Sequence, residues 1–169
     1  MKTTRIAFLA LAILTAGVGV ALGLRSFGVA SPAPDVSYTL LDGRTSTIRE
    51  LRGKVVLVNF WATSCTTCVH EMPKIVATHE KFKARGYDTL AVAMSYDIPA
   101  YVINFSQTRG LPFGVAIDNS GIIAKSFGDV TLTPTSVLIN KHGEIVKRFV
   151  GEPDFVALHE LVEKLLAQS

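Results

Sequence analysis

Cysteine is scarce in this chain, which has only Cys65 and Cys68 among its 169 residues. A closed structural zinc site needs four protein ligands, usually two cysteine pairs or one pair with added histidines. The sequence offers no second pair, and the only histidine close to the first pair is His70. The composition therefore argues against a zinc-stabilised domain and leaves the two cysteines for another use.

The chain also lacks a surplus of charge outside its first 30 residues. Residues 31–169 carry 14 basic and 14 acidic side chains, whereas a nucleic-acid-binding domain usually has a clear basic excess. We therefore expect no nucleic-acid partner. Internal repeats and low-complexity tracts are absent as well, and a hydrophobic content of 49% argues for a packed core and against disorder.

Acidic residues are missing from residues 1–30, which contain an apolar run over residues 6–24. Lys2 and Arg5 precede this run and Arg25 follows it, an arrangement typical of an export signal. A run of this length is close to what spans a bilayer, so we favour an uncleaved anchor in the inner membrane. The small residues 28–30 also permit cleavage after Ala30. Residues 1–30 are thus predicted to be a signal anchor or signal peptide that places the rest of the chain in the periplasm.

Residues 31–35 are predicted to form a linker. Pro32 and Pro34 favour an extended, polyproline-like backbone. Such a segment would hold the domain predicted for residues 36–169 a short distance from the membrane.

The two cysteines lie where a strand pattern gives way to a helix pattern. An apolar run over residues 55–58 precedes them and a helix-like run over residues 69–85 follows. The unpaired N–H groups and the dipole at a helix start stabilise a thiolate, the reactive form of cysteine. A spacing of three puts the sulfurs about one helical turn apart, close enough to join. This favours a redox pair over a structural bridge, because closing so small a loop removes little entropy from the unfolded chain.

The rest of the domain alternates between strand and helix patterns, which predicts a mixed α/β sheet with helices on both faces. Strands are predicted over residues 36–40, 45–47, 54–61, 88–95, 115–118, 135–140 and 144–150. Helices are predicted over residues 66–85, 99–109, 122–127 and 153–167, with a helical turn over residues 48–51.

Five segments carry a resemblance to a known family, in the family's order and spacing: residues 58–62, 65–68, 71–73, 133–135 and 138–146. On these segments the chain resembles the thioredoxin superfamily, and more closely the exported TlpA/ResA-like thiol:disulfide oxidoreductases, which include reductants of cytochrome c maturation. The resemblance covers about residues 35–169, with an insertion over residues 99–121. It implies a thioredoxin-like fold: a central mixed sheet flanked by helices, an N-terminal hairpin and a central α/β insertion.

The resemblance also implies roles for individual residues. Cys65 would be the exposed attacking thiol, and Cys68 the thiol that resolves the mixed disulfide. Thr133 and Pro134 match the loop whose cis peptide bond lets the backbone pair with a substrate strand. From the residues alone, Pro134 could equally be an ordinary proline at the start of a strand. Trp61 is expected in the core and groove wall, where it would line the contact with substrate.

Glu71 is the third predicted catalytic residue. The family carries a partly buried glutamate at this position, and burial would raise its pKa enough for it to exchange a proton with a thiol. The alternative is a solvated glutamate paired with Lys74. Thioredoxin itself has a buried aspartate where this chain has Asn59, and an amide cannot carry the proton. If a buried acid is needed, Glu71 must therefore supply it.

The resemblance implies an extracytoplasmic, membrane-anchored enzyme that reduces disulfides in partner proteins, such as apocytochrome c or the cysteines of copper sites. Electrons would come from a membrane electron-donor protein, with no cofactor or metal beyond the redox-active pair of Cys65 and Cys68. Two other functions stay open. A chaperone could bind Cu(I) through both thiolates. A peroxiredoxin-type peroxidase is also conceivable, although it would have a threonine where this chain has Ala62.

Overall fold

The structure is a computed structural model that describes residues 31–168. The predictions made for residues 1–30, namely the signal anchor or signal peptide, the apolar run over residues 6–24 and the cleavage after Ala30, lie outside the described residues. Within residues 31–168, no helix combines the length and the apolar character that crossing a bilayer requires.

Strands and helices alternate along the described chain, as the sequence patterns predict. The strands are β1 (Ser31–Pro32), β2 (Ser37–Thr39), β3 (Thr45–Thr47), β4 (Val55–Trp61), β5 (Tyr87–Ala93), β6 (Gly114–Ile117), β7 (Thr135–Ile139) and β8 (Glu144–Val150). The helices are α1 (Thr66–Phe82), α2 (Pro99–Arg109), α3 (Ile122–Ser126) and α4 (Phe155–Leu166), with 3₁₀ turns at Ile48–Leu51 and Lys83–Arg85.

Six strands form one mixed sheet in the order β1-β8-β7-β4-β5-β6, and β2 and β3 form a separate hairpin. β4 runs parallel to β5 and antiparallel to β7, while β7 and β8 form an antiparallel hairpin. β4 is therefore an inner strand, with neighbours on both sides. Its last residue lies only a few positions before Cys65, so an inner strand of the sheet positions the cysteine pair.

β4 is buried along its whole length because the sheet is covered on both faces. Val56, Val58 and Phe60 point into one apolar cluster, together with residues of the hairpin and α3. Val55 and Leu57 point into the other face, where α1 and α4 pack. An inner strand of this kind has no solvated face, which explains why its sequence is apolar without the alternation of a surface strand.

The hairpin β2–β3 and the unit formed by α2 and β6 correspond to the expected N-terminal hairpin and central insertion. Pro99 opens α2, and Gly110 ends it with a φ of 58°, a left-handed conformation that glycine adopts readily. β6 then joins the sheet edge beside β5 in parallel register. The insertion thereby adds the strand β6 beside β5 and the helix α2, which packs near α1.

The start of the predicted linker is corrected by the structure. Ser31 and Pro32 form β1 and pair with Ile145 and Glu144 of β8. The extended backbone that the prolines favour is also the backbone of a strand, and an edge strand tolerates a proline because its missing N–H can face solvent. Residues 31 and 32 thus belong to the sheet and not to a free-standing linker.

Candidate active site

Cys65 and Cys68 lie at the start of α1 and are joined by a disulfide, with their Cα atoms 5.2 Å apart. Cys65 is the N-cap of α1, and its Sγ accepts a hydrogen bond from the backbone N–H of Cys68 at 3.2 Å. When the bond is reduced, the same N–H and the helix dipole favour the thiolate of Cys65. The cysteines therefore occupy the strand-to-helix junction that the sequence predicts.

The two sulfur-bearing residues differ in accessibility. Cys65 is half-buried, whereas Cys68 has 0% of its surface exposed. A visiting thiol or disulfide can approach Cys65, and Cys68 can then be reached only through Cys65. The implied division between an attacking and a resolving thiol requires such an asymmetry, and the division itself stays a prediction.

Glu71 lies three residues after Cys68, on the same side of α1, and its side chain has 0% exposure. Its Oε1 accepts a hydrogen bond from Nδ2 of Asn59 at 2.9 Å. Burial raises the pKa of Glu71 to about 7, although the hydrogen bond from Asn59 acts in the opposite direction. The carboxyl can therefore exist in either protonation state near neutral pH, as proton exchange with a thiol requires.

The alternative of a solvated Glu71 paired with Lys74 does not hold. Lys74 forms its ion pair with Glu152, which also contacts His70 Nδ1 at 3.2 Å. These surface contacts lower the pKa of Glu152. Through space, the charge of Glu152 raises the pKa of Glu71 and that of Lys74 lowers it, both after burial and the Asn59 contact in importance.

The peptide bond between Thr133 and Pro134 is cis, as the resemblance implies. Thr133 is half-buried and Pro134 is buried, immediately before β7, the antiparallel neighbour of β4. The hydroxyl of Tyr96 lies 3.1 Å from that of Thr133. The loop is thus adjacent to the strand that leads to the cysteines, and its part in binding substrate stays a prediction.

Trp61 lies deeper than the sequence suggests. Its side chain has 0% exposure and packs against Phe105 of α2, with ring centroids 5.1 Å apart. The inserted helix covers Trp61, which lies in the core cluster that also contains Cys68, and its predicted contact with substrate stays a prediction.

Sequence reasoning missed the loop between β5 and α2, which contacts both sides of the site. Asp97 is buried and accepts hydrogen bonds from the backbone N–H and the hydroxyl of Thr63, each at 2.6 Å. Tyr96, next to it, is 58% exposed and reaches Thr133. An aspartate just after a buried strand is a weak signal for such a role, because its partner lies 34 residues away.

Within residues 31–168, no group of three or more histidine, cysteine and acidic side chains is arranged to hold a metal ion.

Comparisons with known proteins agree with this geometry. The sequence model of the Redoxin family matches residues 28–163. The thiol-disulfide oxidoreductase ResA of Bacillus cereus is 35% identical over 98% of this chain and 99% of its own length.

Two solved structures share the fold. A putative thioredoxin from Neisseria meningitidis has a TM-score of 0.77 and 41% identity, covering 83% of this chain and 93% of its own. A putative thiol:disulfide interchange protein DsbE from Chlorobium tepidum has a TM-score of 0.76 and 28% identity, covering 84% and 100%. The expected thioredoxin-like fold is confirmed.

Proposed function

Because this chain belongs to the Redoxin family and is a thiol-disulfide oxidoreductase of the ResA type, we propose that it reduces disulfides of partner proteins outside the cytoplasm while anchored in the inner membrane. Its substrates would be proteins whose cysteines must be free for haem attachment in cytochrome c maturation or for copper-site assembly. The observation that carries this proposal is the contrast between the half-exposed Cys65 at a helix start and the buried Cys68, three residues before the buried acid Glu71 on the same helix.

In the proposed reaction, the reduced enzyme begins with the thiolate of Cys65. This thiolate attacks one sulfur of the substrate disulfide, the substrate S–S bond breaks, and the first substrate thiolate leaves. Cys68 then gives its proton to the Glu71 carboxylate and attacks the sulfur of Cys65. The mixed disulfide breaks and the second substrate sulfur leaves as a thiolate, which takes up a proton. Two electrons have passed to the substrate, and the enzyme holds the disulfide seen in the structure.

Glu71 is suited to this transfer because its pKa of about 7 keeps both protonation states populated. Thr133 and Pro134 would present the backbone that pairs with the substrate strand. A thiol-bearing membrane protein would then supply two electrons to reduce Cys65 and Cys68 again. No other redox group takes part in the proposal.

The location rests on the sequence of residues 1–30. A basic start followed by the apolar run over residues 6–24 supports export and anchoring. The proposal is tested by protease treatment of cells whose outer barrier has been opened. The full chain should sediment with membranes and be digested from outside, whereas a protected or freely soluble chain would contradict this location.

The substrate class is tested with the reduced full chain and an oxidised peptide that contains the haem-attachment sequence C-x-x-C-H. We expect one peptide disulfide to be reduced for each Cys65–Cys68 pair oxidised, as counted by mass spectrometry after thiol alkylation. The Cys65→Ser variant serves as the control and should reduce none. Failure to reduce the peptide, together with tight binding of Cu(I) by the reduced chain, would favour the copper chaperone instead.

A further inference from the structure

Three polar side chains meet in the apolar core below the disulfide. Glu71 comes from α1, Asn59 from β4 and Ser136 from β7, and all three have 0% exposure. Asn59 Nδ2 donates to Oε1 of Glu71 at 2.9 Å and to Oγ of Ser136 at 3.0 Å. Asn59 and Ser136 are direct partners in the antiparallel register of β4 and β7. The sheet itself therefore fixes the contact between them, and the helix brings the carboxyl to it.

The hydrogen bonds of this cluster are incomplete. Among the described residues, neither Oδ1 of Asn59 nor Oε2 of Glu71 has a partner. An ionised Glu71 needs donors, and the Asn59 amide supplies one. A protonated Glu71 has an O–H group that needs an acceptor, and the unpaired oxygen of the same amide can provide it. Protonation of Glu71 would therefore allow a hydrogen bond between the two unpaired atoms, Oε2 of Glu71 and Oδ1 of Asn59.

Ser136 suits both arrangements because a hydroxyl can accept or donate. In the present arrangement it accepts from the amide N–H of Asn59. If the amide turned over, the hydroxyl could donate to the amide oxygen instead. Serine thereby supports either orientation of Asn59, whereas a fixed donor or a fixed acceptor at this position would support only one.

We propose that Asn59 and Ser136 are positioning residues for the thiol step, which hold the Glu71 carboxyl and set how readily it takes and returns a proton. This inference rests on the proposed function in that it assigns partners to the proposed acid. It goes beyond that function because it assigns control of the Glu71 pKa to an amide and a hydroxyl. Neither of these two groups titrates near neutral pH.

The charged groups around Glu71 come from its own helix and from other elements. On its own helix, Lys74 lowers the pKa of Glu71, and after β8, Glu152 raises it. His70 contacts Glu152 and not Glu71. From α4, His159 lies 2.9 Å from the hydroxyl of Thr78. None of these groups is a hydrogen-bond partner of Asn59 or Ser136, so variants of those two residues leave the charges in place.

The experiment measures the pKa of the Glu71 carboxyl directly by ¹³C NMR on the full chain, in the oxidised and the reduced state. Asn59→Leu keeps the size of the side chain and removes the donor, so the pKa should rise by about one unit. Ser136→Ala frees the amide and should move the pKa in the same direction by a smaller amount. Thr89→Val is the matched control, since it removes a buried hydroxyl whose side-chain partner is His79, and it should cause no shift.

Thiol alkylation as a function of pH provides the second readout. Asn59→Leu and Ser136→Ala should each shift the pH at which the thiols become reactive. These shifts of the alkylation profile should vanish when Glu71→Gln is also present. Shifts that persist there, or an unmoved Glu71 pKa in Ser136→Ala, would overturn the inference. If Glu71→Gln alone leaves the alkylation profile unchanged, the proposed acid–base role of Glu71 fails, and the NMR pKa values still decide whether Asn59 and Ser136 control the carboxyl.

Discussion

Replacing Cys68 with serine should stop the enzyme at the mixed disulfide. Cys65 remains half-exposed at the start of α1, so its thiolate can still attack a substrate disulfide. A serine hydroxyl cannot attack the sulfur of Cys65 to release the substrate. We expect turnover to fall below detection while a covalent adduct accumulates, visible by mass spectrometry without reductant.

Two controls make this result specific. Cys65→Ser should form no adduct, because the remaining Cys68 has no exposed surface. Ser64→Ala changes an exposed neighbour and should turn over normally. Adducts that form equally through Cys68 alone, or no adduct in the Cys68→Ser variant, would contradict the assignment of attacking and resolving thiols.

Glu71→Gln should remove the dependence of exchange on a group that titrates near neutral pH. Glutamine keeps an oxygen that can accept the Asn59 hydrogen bond, but it cannot take a proton from Cys68. Loss of a positioned base typically costs about 100-fold or more, and we expect resolution of the mixed disulfide to slow by that order. The measurement is stopped-flow reduction of a disulfide substrate between about pH 5 and pH 9. This range covers the titration of both the carboxyl and the thiols.

The same substitution should change how stability depends on pH. Because burial raises the pKa of Glu71 from 4.5 to about 7, the folded chain holds this proton more tightly than the unfolded chain. The contribution to the free energy of unfolding is therefore full below pH 4.5 and is lost as the pH rises to about 7. The loss is about 3 kcal/mol at full ionisation. Glu71→Gln should abolish this loss. Between pH 4 and pH 8, the free energy of unfolding of the variant should therefore rise by about that amount relative to wild type.

Glu160→Gln is the matched control for both experiments, since it makes the same chemical change at an exposed position of α4. It should leave the exchange profile and the pH dependence of urea unfolding unchanged. A Glu71→Gln variant that behaves like Glu160→Gln would remove Glu71 from the mechanism and would show that its burial has no energetic consequence.

The parts of the fold that follow from local patterns could be predicted from the sequence. The apolar run of β4, the helix after Cys65 and the glycine that ends α2 each depend on neighbours within a few residues. The position of the disulfide at the junction follows from the same signals. The cis bond at Pro134 came only from the resemblance, because its local sequence also suits an ordinary proline at the start of a strand.

Burial was harder to predict wherever a distant element covers a side chain. His79 is buried against Phe113 and Tyr87, with ring centroids 5.3 and 6.3 Å away, although its neighbours in the sequence of α1 are mostly polar. That burial lowers its pKa. Trp61 is fully covered for the same reason, since Phe105 of α2 packs against it. The period of a helix or strand shows which residues share a face, and not which part of the chain will cover that face.

Contacts between loops carried the least sequence signal. The hydrogen bonds that Thr63 donates to Asp97, and the one between the hydroxyls of Tyr96 and Thr133, join segments 34 and 37 residues apart. Similarly, Ser136 becomes the partner of Asn59 only because β7 pairs with β4 in one register. These contacts depend on the order of the strands in the sheet, which the sequence pattern alone leaves open.

The proposed mechanism requires Cys65 and Cys68 to change together between thiols and disulfide. The decisive measurement equilibrates the full chain in a series of glutathione buffers, blocks free thiols by alkylation and counts them by mass spectrometry. We expect one two-electron transition, with species carrying zero or two blocked thiols and almost none carrying one. Independent reaction of the two cysteines, or a pair that stays joined or free in every buffer, would contradict it.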